Sequence, residues 1–275
     1  MGYSYLIETI TQDGMAQSSC RLCGAPAQYR FSLQVLQKHK VAYFECESCH
    51  SLQTETPYWV SEAYASNLAI LDTGAAQRNL ANLAAIYIVT RILPLKDVLD
   101  YGGGDGLLCR LLRDYEINCF VNDKYATATY ARAFANPNFT HPGILLAFEV
   151  FEHFENPQAD LEILFKTNPD ILITSTGIFT GQNASWWYLT PETGQHLFFY
   201  SKNALEMIAR RYGFKLIFCS NYILFVRAAH TTPIKAAALH LLLNRFSVRM
   251  VSALIRLLPT RGVSRDFNSL RDKNT

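Results

Sequence analysis

VLDYGGGDGLLCRLL, residues 98–112, joins a short apolar run to a glycine-rich loop and then to a helical pattern of leucines. Glycines let a ligand approach the backbone, and a helix N-terminus supplies free N–H groups. The spacing is D-x-G-x-G-x-G from Asp100, and Leu107 stands where a dinucleotide-binding fingerprint has its last glycine. The stretch predicts a strand, a ligand-binding loop and a helix, with a turn of no function as the alternative. The loop glycines are Gly102, Gly103, Gly104 and Gly106.

Strand and helix patterns alternate after this loop. DVLDY, NCFVND, GILLAFEV and DILITSTG predict strands, and LLCRLLRD, YATATYARAF and QADLEILFK predict the helices between them. This alternation is typical of βαβ units around a parallel sheet. FKLIFCS and YILFVRA follow each other too closely for a parallel crossover, so they must pair antiparallel. We expect an α/β fold with helices on both faces of a mostly parallel sheet that ends in an antiparallel hairpin.

Acidic residues stand at the ends of two of these predicted strands. Asp123 in NDKY follows the glycine loop by about twenty residues, where an acid can hold both hydroxyls of a ribose. A helix N-cap is the other role open to Asp123. AFEVFEHFENP, residues 147–157, closes the next strand. Because ligands bind at the carboxyl ends of parallel strands, both segments belong to the predicted site.

The combination of DYGGG, NDKY, AFEVFEH and WWYLTPETGQHLFFYS resembles class I S-adenosylmethionine-dependent methyltransferases, and most closely the bacterial methyltransferase domain 23 group. The resemblance implies a Rossmann-like sheet and S-adenosylmethionine as the cofactor. This group is loosely linked to saccharide and cell-envelope biosynthesis. The cofactor-binding residues that the resemblance implies are Asp100, Gly102, Gly103, Gly104, Gly106, Asp123, Lys124, Phe148 and Glu149.

The chain departs from this family pattern after the second strand. Residues 135–143 leave little room for a full third strand, and the acid that often reads the adenine amino group there is missing. NFTHP must supply a shortened edge strand or a loop. We expect apolar contact to hold the adenine.

Four cysteines form two pairs with the spacing C-x2-C-x22-C-x2-C: Cys20, Cys23, Cys46 and Cys49. Two such pairs complete a closed tetrahedral site, so we expect a structural zinc ion in a zinc-ribbon-like module. Free thiols or a redox pair are the alternative, and replacement of one cysteine ligand by His50 is disfavoured. CESCHSLQ also resembles the zinc-binding front part of deoxysugar C-methyltransferases, whose additional C-terminal domain this chain is too short to hold. Cys109, Cys119 and Cys219 are expected to be small buried apolar residues.

The loop after DILITSTG mixes aromatic and polar side chains, which suits a sugar ring that is stacked on its C–H face and hydrogen-bonded through its hydroxyls. We expect acceptor binding by Trp186, Trp187, Tyr188, Glu192, Gln195, His196 and Tyr200. The alternative for the two tryptophans is a place in the core. For an oxygen acceptor, His196 is the preferred general base and His153 the second candidate. Glu149 and Glu152 could orient a histidine or bind a second metal, although Glu152 and His153 also suit the first turn of a helix.

Residues 232–259 predict an amphipathic helix with a narrow basic face. Packing on the body or in a dimer is one role, and peripheral contact with an anionic membrane is the other. The sequence leaves the oligomeric state open.

The domains are expected at 1–55 with the zinc module, 56–231 with the methyltransferase fold after a helical lead-in over 57–93, and 232–275 with the tail. The formal net charge of +2 argues against a dedicated nucleic-acid binder. MGYSYLIETITQDGM lacks the pattern of a signal peptide, so we expect a cytoplasmic protein, peripheral to the inner face of the membrane if the tail binds it.

The sequence therefore predicts methyl transfer, at an oxygen, to a saccharide, nucleotide-sugar or related envelope or natural-product intermediate. An RNA or tRNA methyltransferase that grips its substrate through the zinc module is the first alternative. A non-catalytic cofactor-binding scaffold is the second.

Overall fold

A computed structural model of the chain describes residues 9–10, 16–65, 72–137 and 141–274. The chain folds as two compact units, and each is drawn from several segments. The first unit contains 1–66, 151–163 and 177–208, and the second contains 67–150, 164–176 and 209–275. The first unit thus includes the loop after DILITSTG with its mixed aromatic and polar side chains, called the aromatic loop below. The sequence-based division assigned this loop to the methyltransferase domain.

The first unit is built on an antiparallel sheet. Its strands are β1 (Thr9–Ile10), β2 (Ala16–Ser19), β3 (Pro26–Val35), β4 (His39–Cys46), β5 (Leu52–Thr54) and β10 (Phe198–Phe199), side by side in that order. Helix α1 (Val60–Ala63) follows β5. Tyr43, Trp59 and Phe199 pack in one core with aliphatic side chains of the β3–β4 hairpin and of the aromatic loop.

The second unit holds the predicted sheet. Its strands are β6 (Val98–Tyr101), β7 (Cys119–Asn122), β8 (Ile144–Phe148), β9 (Ile171–Ser175), β11 (Lys215–Cys219) and β12 (Tyr222–Val226). They lie in the order β11-β12-β9-β8-β6-β7. The pairs among β7, β6, β8 and β9 are parallel, and β12 pairs antiparallel with both β9 and β11. The mostly parallel sheet with a final antiparallel hairpin is confirmed.

Helices cover both faces of this sheet. The longer helices are α2 (Ala75–Ile92), α3 (Leu107–Asp114), α4 (Pro157–Lys166), α5 (Lys202–Tyr212), α6 (Pro233–Leu242), α7 (Arg245–Leu254) and α8 (Arg261–Asn274). Successive residues of a strand point to opposite faces. Leu224 in β12 belongs to the core formed with α2, α3, α6 and α7. The ring of its neighbour Phe225 meets Phe165 of α4, with centroids 5.8 Å apart.

The predicted helix over 125–134 is wrong. Among its residues only a 3₁₀ turn forms, at Arg132–Phe134. Asp123 accepts two backbone hydrogen bonds from the first residues of the segment, and the N–H of Tyr130 donates to the carbonyl of Asp105 at 2.9 Å. In a helix the N–H of Tyr130 would donate to the carbonyl of Ala126, so its bond to Asp105 takes the backbone off a helical path. The two bonds to Asp123 are compatible with the start of a helix and do not prevent one.

The expected lack of a full third strand is confirmed for the residues that the structure describes. An isolated parallel bridge between Val121 and Ala135 stands in its place. Residues 138–140 of NFTHP lie outside the described residues.

The tail corrects a second prediction, because 232–259 is not one helix. It forms α6 and α7 and then a 3₁₀ turn at Ile255–Leu257. The break is at Asn244, whose side chain caps α7 by accepting the N–H of Ser247 at 3.0 Å. Within the described ranges no single helix has both the length and the apolar composition of a membrane span; Pro233–Leu242 and Arg245–Leu257 meet those criteria together, across a bend of 74°.

Candidate functional site

The glycine loop brings the backbone against a buried carboxylate in the second unit. A Cβ atom on Gly103 would lie 2.5 Å from Oδ2 of Asp100, so this position has no space for a side chain. Gly104 has φ +55, and a Cβ atom there would point into open space. The loop therefore presents bare backbone, as a closely approaching ligand requires.

Asp100 at the end of β6 is 3% exposed, and its Oδ2 atom has no hydrogen-bond partner among the described residues. Burial, and then the negative charge of Asp123, raise the pKa of the Asp100 carboxyl to about 7. A buried carboxylate without a partner is costly, and a positively charged group beside it would reverse that cost. The amino and sulfonium groups of S-adenosylmethionine both have the required sign, so Asp100 fits the cofactor.

Asp123 follows β7, and its carboxylate bonds to the backbone of the glycine loop and of its own segment. Its Oδ2 atom accepts the backbone N–H of Gly104 at 2.9 Å, and its Oδ1 atom accepts those of Tyr125 at 2.8 Å and Ala126 at 2.7 Å. No α-helix follows among the described residues up to Pro137, so Asp123 is not a helix cap. A carboxylate accepts about four hydrogen bonds, which leaves capacity for one more donor such as a ribose hydroxyl.

Two other predicted cofactor residues end β8. Glu149 has φ 52, a left-handed conformation that non-glycine residues rarely adopt, and its Oε1 atom accepts the hydroxyl of Ser175 at 2.6 Å. The partly buried ring of Phe148 meets Tyr222, with centroids 5.8 Å apart. Lys124 is exposed, and its ammonium group lies 4.9 Å from the centroid of the Tyr125 ring. Ser175 was not foreseen, because a lone serine at a strand end has no distinctive spacing.

A cavity of about 170 Å³ opens beside the hairpin of β11 and β12 in the same unit. Tyr222, Arg245 and Arg249 line it together with polar side chains of α2 and α7. The sequence did not indicate this cavity, since its walls come from segments more than a hundred residues apart.

The four paired cysteines come together in the first unit. Their sulfur atoms all lie within 4.8 Å of one another, with Cys20 and Cys49 3.7 Å apart and Cys23 and Cys46 3.5 Å apart. A tetrahedral zinc ion with bonds of about 2.3 Å places its sulfurs about 3.8 Å apart. The hydrogen bond from Cys49 lowers the pKa of Cys20 to about 5, so a thiolate forms readily. The donor set fits zinc.

Arg21, inside the first cysteine pair, has a structural role that the sequence did not reveal. Its side chain is partly buried, and its guanidinium donates to the carbonyls of Leu197 at 2.7 Å, Glu155 at 3.1 Å and Thr54 at 3.2 Å. Burial lowers the pKa of Arg21 to about 10, which leaves it charged at neutral pH. It ties the cysteine segment to the chain beside His196.

A second cluster of ligand-type side chains lies in the first unit. One ligand atom each from Glu152, His153 and His196 fall within 4.8 Å of one another. The two imidazole rings are perpendicular, with centroids 5.1 Å apart. Tyr188 donates its hydroxyl to Oε1 of Glu152 at 2.5 Å. Two histidines and a carboxylate can hold a divalent cation or move a proton, so the grouping of Glu152 with both histidines as candidate base or metal residues is chemically reasonable.

Hydrogen bonds orient both rings of this cluster. The Nδ1 atom of His196 lies 2.7 Å from the carbonyl oxygen of Tyr188, which can only accept, so Nδ1 carries a proton. In the neutral ring, Nε2 is then the proton-accepting atom. His153 shares a hydrogen bond of 2.7 Å with the hydroxyl of Tyr64. Burial, and then the charge of His196, lower the pKa of His153 to about 3, so His153 is neutral. Tyr64 had no sequence signal.

The predicted acceptor residues fall into different environments. Trp187 is 78% exposed, whereas Tyr188 and Tyr200 are buried. The Tyr200 ring packs against Phe151 in the core, which removes it from a surface where an acceptor binds. Trp186 is partly buried and Glu192 exposed, and Gln195 donates to the carbonyl of Ala63 at 2.8 Å.

Solved structures of several methyltransferases are similar to this chain. The methyltransferase domain of bacterial CtHen1 has 18% identity and a TM-score of 0.42, over 54% of this chain and 98% of that one. An O-methyltransferase family protein from Burkholderia thailandensis has 14% identity and a TM-score of 0.43, over 62% and 67%. Magnesium protoporphyrin IX methyltransferase from Synechocystis PCC 6803, with bound SAH, has 14% identity and a TM-score of 0.42, over 62% and 93%.

A comparison with the curated proteins finds no match. A family model described as "Methyltransferase domain" matches residues 65–217, more than half of the chain. This stretch contains the glycine loop, both acids and the whole parallel part of the sheet. The chain therefore belongs to the methyltransferase domain 23 family.

Proposed function

We propose that this methyltransferase uses S-adenosylmethionine to methylate a hydroxyl of a saccharide, a nucleotide-sugar or a related envelope or natural-product intermediate. The cofactor assignment is supported by Asp100, whose buried oxygen has no hydrogen-bond partner among the described residues. The N–H groups of Gly102, Gly104 and Gly106 are bonded within the protein, so the first backbone N–H groups of α3 would take the cofactor's carboxylate. Asp100 would face its positive end and Asp123 its ribose.

The observation that carries the choice of an oxygen acceptor is the orientation of His196. With Nδ1 committed to the carbonyl of Tyr188, the ring has Nε2 as its basic atom. When bound, the cofactor supplies an electrophilic methyl group. In the proposed reaction the acceptor oxygen forms a bond to that methyl carbon and gives its proton to a general base, while the electron pair of the broken carbon–sulfur bond stays on sulfur. The exposed Trp187 would stack on the sugar ring.

The cysteine cluster is proposed to hold one structural zinc ion. All four positions around the metal would be filled by sulfur, which leaves no place for a substrate. Its role would be to stabilise the antiparallel sheet of the first unit, since the cysteine-rich hairpin alone has a small core.

Transfer of labelled methyl from S-adenosylmethionine into an extract of the source cell tests this function. The extract is separated into polar metabolites, lipids, RNA and protein. We expect label in the polar or lipid fraction, and a loss of about 100-fold in His196→Gln. His141→Gln, an exposed histidine of the second unit, is the matched control and should retain full transfer. Label in RNA would overturn the saccharide proposal, and cofactor binding without any transfer would support a scaffold.

A further inference from the structure

The C-terminal helices form a surface that differs in charge from the rest of the chain. Residues 232–275 contain eight Lys and Arg against two Asp, a formal charge of +6. The preceding 231 residues therefore carry −4, because the whole chain has +2. One of the two acids, Asp266, is buried and paired with Arg113. The positive charge of the tail is thus concentrated on its exposed side.

The same helices expose large apolar side chains. Ten of the sixteen exposed large apolar or aromatic residues in the described ranges lie between 234 and 267, and four of the other six are tyrosines with a polar hydroxyl. Ile234 and Leu257 are each 81% exposed, Phe246 73% and Leu241 68%. Exposed apolar side chains at this density mark a surface that contacts something.

Helix α7 and the 3₁₀ turn that continues it to Leu257 separate three kinds of side chain around their axis. Val248 is buried in the core of the second unit, and Ile255 is buried one helical repeat further on. Arg245, Arg249 and Arg256 recur on a second stripe that is exposed. At 3.6 residues per turn, a third stripe of exposed apolar residues lies beside the arginines. It contains Phe246, Met250, Leu254 and Leu257.

The buried stripe fixes how the helix meets a partner. Val248 and Ile255 pack in the core with α2, and Ser252 donates its hydroxyl to the carbonyl of Leu80 in α2 at 3.4 Å. The helix is therefore held along its length on the body of the second unit. Its apolar stripe points away from that body, and the arginine stripe flanks it, beside the cavity that Arg245 and Arg249 line. An exposed apolar stripe with basic residues along its edge is the arrangement of a helix that lies in the plane of a bilayer interface.

We propose that α6, α7 and the start of α8 dock the protein on an anionic membrane. Apolar stripe residues such as Phe246 and Leu257 enter the headgroup boundary, while the exposed arginines Arg256 and Arg261 contact the phosphates. Charge complementarity selects this partner. A second copy of the chain would bring the +6 surface against itself, and a nucleic acid would leave the apolar stripe exposed to water. The proposal is independent of the acceptor's identity, although it suits a lipid-linked one.

The full-length protein is tested by flotation with phosphatidylcholine vesicles that contain or lack phosphatidylglycerol. We expect binding only to the anionic vesicles, and release at about 0.5 M salt. The double variant Phe246→Ser/Leu257→Ser and the double variant Arg256→Glu/Arg261→Glu should each weaken binding about tenfold or more. All four side chains are exposed, so neither variant removes a core contact.

Ile163→Ser and Arg210→Glu are the matched controls, one exposed apolar and one exposed basic residue outside the tail, and they should bind like the wild type. Equal binding by the wild type and both tail variants would overturn the proposal, as would failure of the wild type to float. Light scattering that shows a dimer abolished by the Phe246 and Leu257 changes would assign the surface to a second copy. Binding of RNA in place of vesicles would assign it to a nucleic acid.

Discussion

The carboxylate of Asp123 accepts the backbone N–H of Gly104 at 2.9 Å, so the acid that ends β7 also shapes the glycine loop that follows β6. These residues are 19 apart in the chain and belong to adjacent parallel strand ends. One side chain therefore serves both the loop geometry and the ribose contact that we propose. Its removal should affect the cofactor more than the fold.

Asp123→Ala should weaken S-adenosylmethionine binding by tenfold or more, about 1.4 kcal/mol, measured by calorimetry. Asp105→Ala is the control, because Asp105 is an exposed acid of the same loop whose backbone carbonyl, not its side chain, bonds to Tyr130. Asp123→Asn keeps an acceptor for the loop amides and should bind with intermediate affinity. Equal affinities of wild type and Asp123→Ala would remove the ribose assignment.

Cofactor affinity should depend on pH through Asp100. The pKa of this carboxyl is raised to about 7 in the free protein, so the neutral form is favoured below that pH. A positively charged ligand favours the ionised form, and binding then releases a proton. Affinity should rise as pH increases from about 5.5 to about 7.5 and then level off.

The stability of the free protein should change in the opposite direction, over a window that begins at lower pH. The unfolded chain ionises this carboxyl near its ordinary pKa of about 4, so stability from Asp100 falls as pH rises from about 4 to about 7. Asp100→Asn should lose both dependences. A wild-type affinity that is constant between pH 5.5 and 7.5, measured by calorimetry at about half-unit steps, would contradict this prediction.

Arg21→Ala should destabilise the first unit by about 3 kcal/mol, because three carbonyls lose a charged donor in a partly buried setting. Arg21→Lys keeps the charge but has one donor group in place of a planar fork, so it should recover only part of the loss. Arg30→Ala is the control, since Arg30 is half exposed and its contact with Glu45 is at 3.3 Å. Urea unfolding followed by tryptophan fluorescence reports on this unit, which contains Trp59, Trp186 and Trp187. A small change in Arg21→Ala, within that of Arg30→Ala, would show that the carbonyls find other donors.

Short-range sequence patterns predicted most strands and helices of the second unit. The run from β6 through the glycine loop to α3 is continuous in sequence, and each strand of the parallel sheet is a short apolar run beside turn residues. The helix predicted over 125–134 failed because the N–H of Tyr130 donates to the carbonyl of Asp105 and not to that of Ala126, and periodicity does not register such a long-range bond.

The first unit was harder to predict because its contacts are long in sequence. β10 has only two residues, Phe198–Phe199, and pairs with β5 across more than 140 residues. The contacts around the histidine cluster are also long in sequence. The hydroxyl of Tyr64 bonds to His153, and Arg21 donates to the carbonyl of Leu197, the residue after His196. The four cysteines were recognisable because their spacing itself carries the chemistry.

Purified protein should contain one zinc ion per chain, bound by the cysteine cluster. Cys46→Ser should lower that content to near zero and unfold the antiparallel sheet, because metal binding of this kind is coupled to folding. Cys219→Ala is the matched control: Cys219 is buried in the second unit and should leave the zinc content unchanged. Elemental analysis after dialysis measures the metal. Full zinc content in Cys46→Ser would show that the zinc ion is bound outside the cysteine cluster.

The last helix is held by a buried ion pair, and its loss should be costly. Arg113 donates to both oxygens of Asp266, at 2.7 and 2.8 Å, and both side chains are nearly inaccessible to solvent. Burial alone would raise the pKa of Asp266, but the hydrogen bonds and charge of Arg113 and Arg110 hold it below the ordinary value. Stability from this pair is therefore present at neutral pH and is lost as pH falls through that lowered pKa.

Asp266→Asn should destabilise the second unit by about 3 kcal/mol, because it leaves the buried charge of Arg113 without a counter-charge. Removing the charge as well, in Arg113→Met/Asp266→Leu, should restore much of that loss, since two apolar side chains can replace a buried ion pair. Asp272→Asn, an exposed acid of the same helix, should change stability by less than about 0.5 kcal/mol. The free energies of unfolding of the three variants, measured by chemical denaturation, test this prediction. If the double variant is no more stable than Asp266→Asn, the hydrogen-bond geometry rather than the charge holds α8 in place.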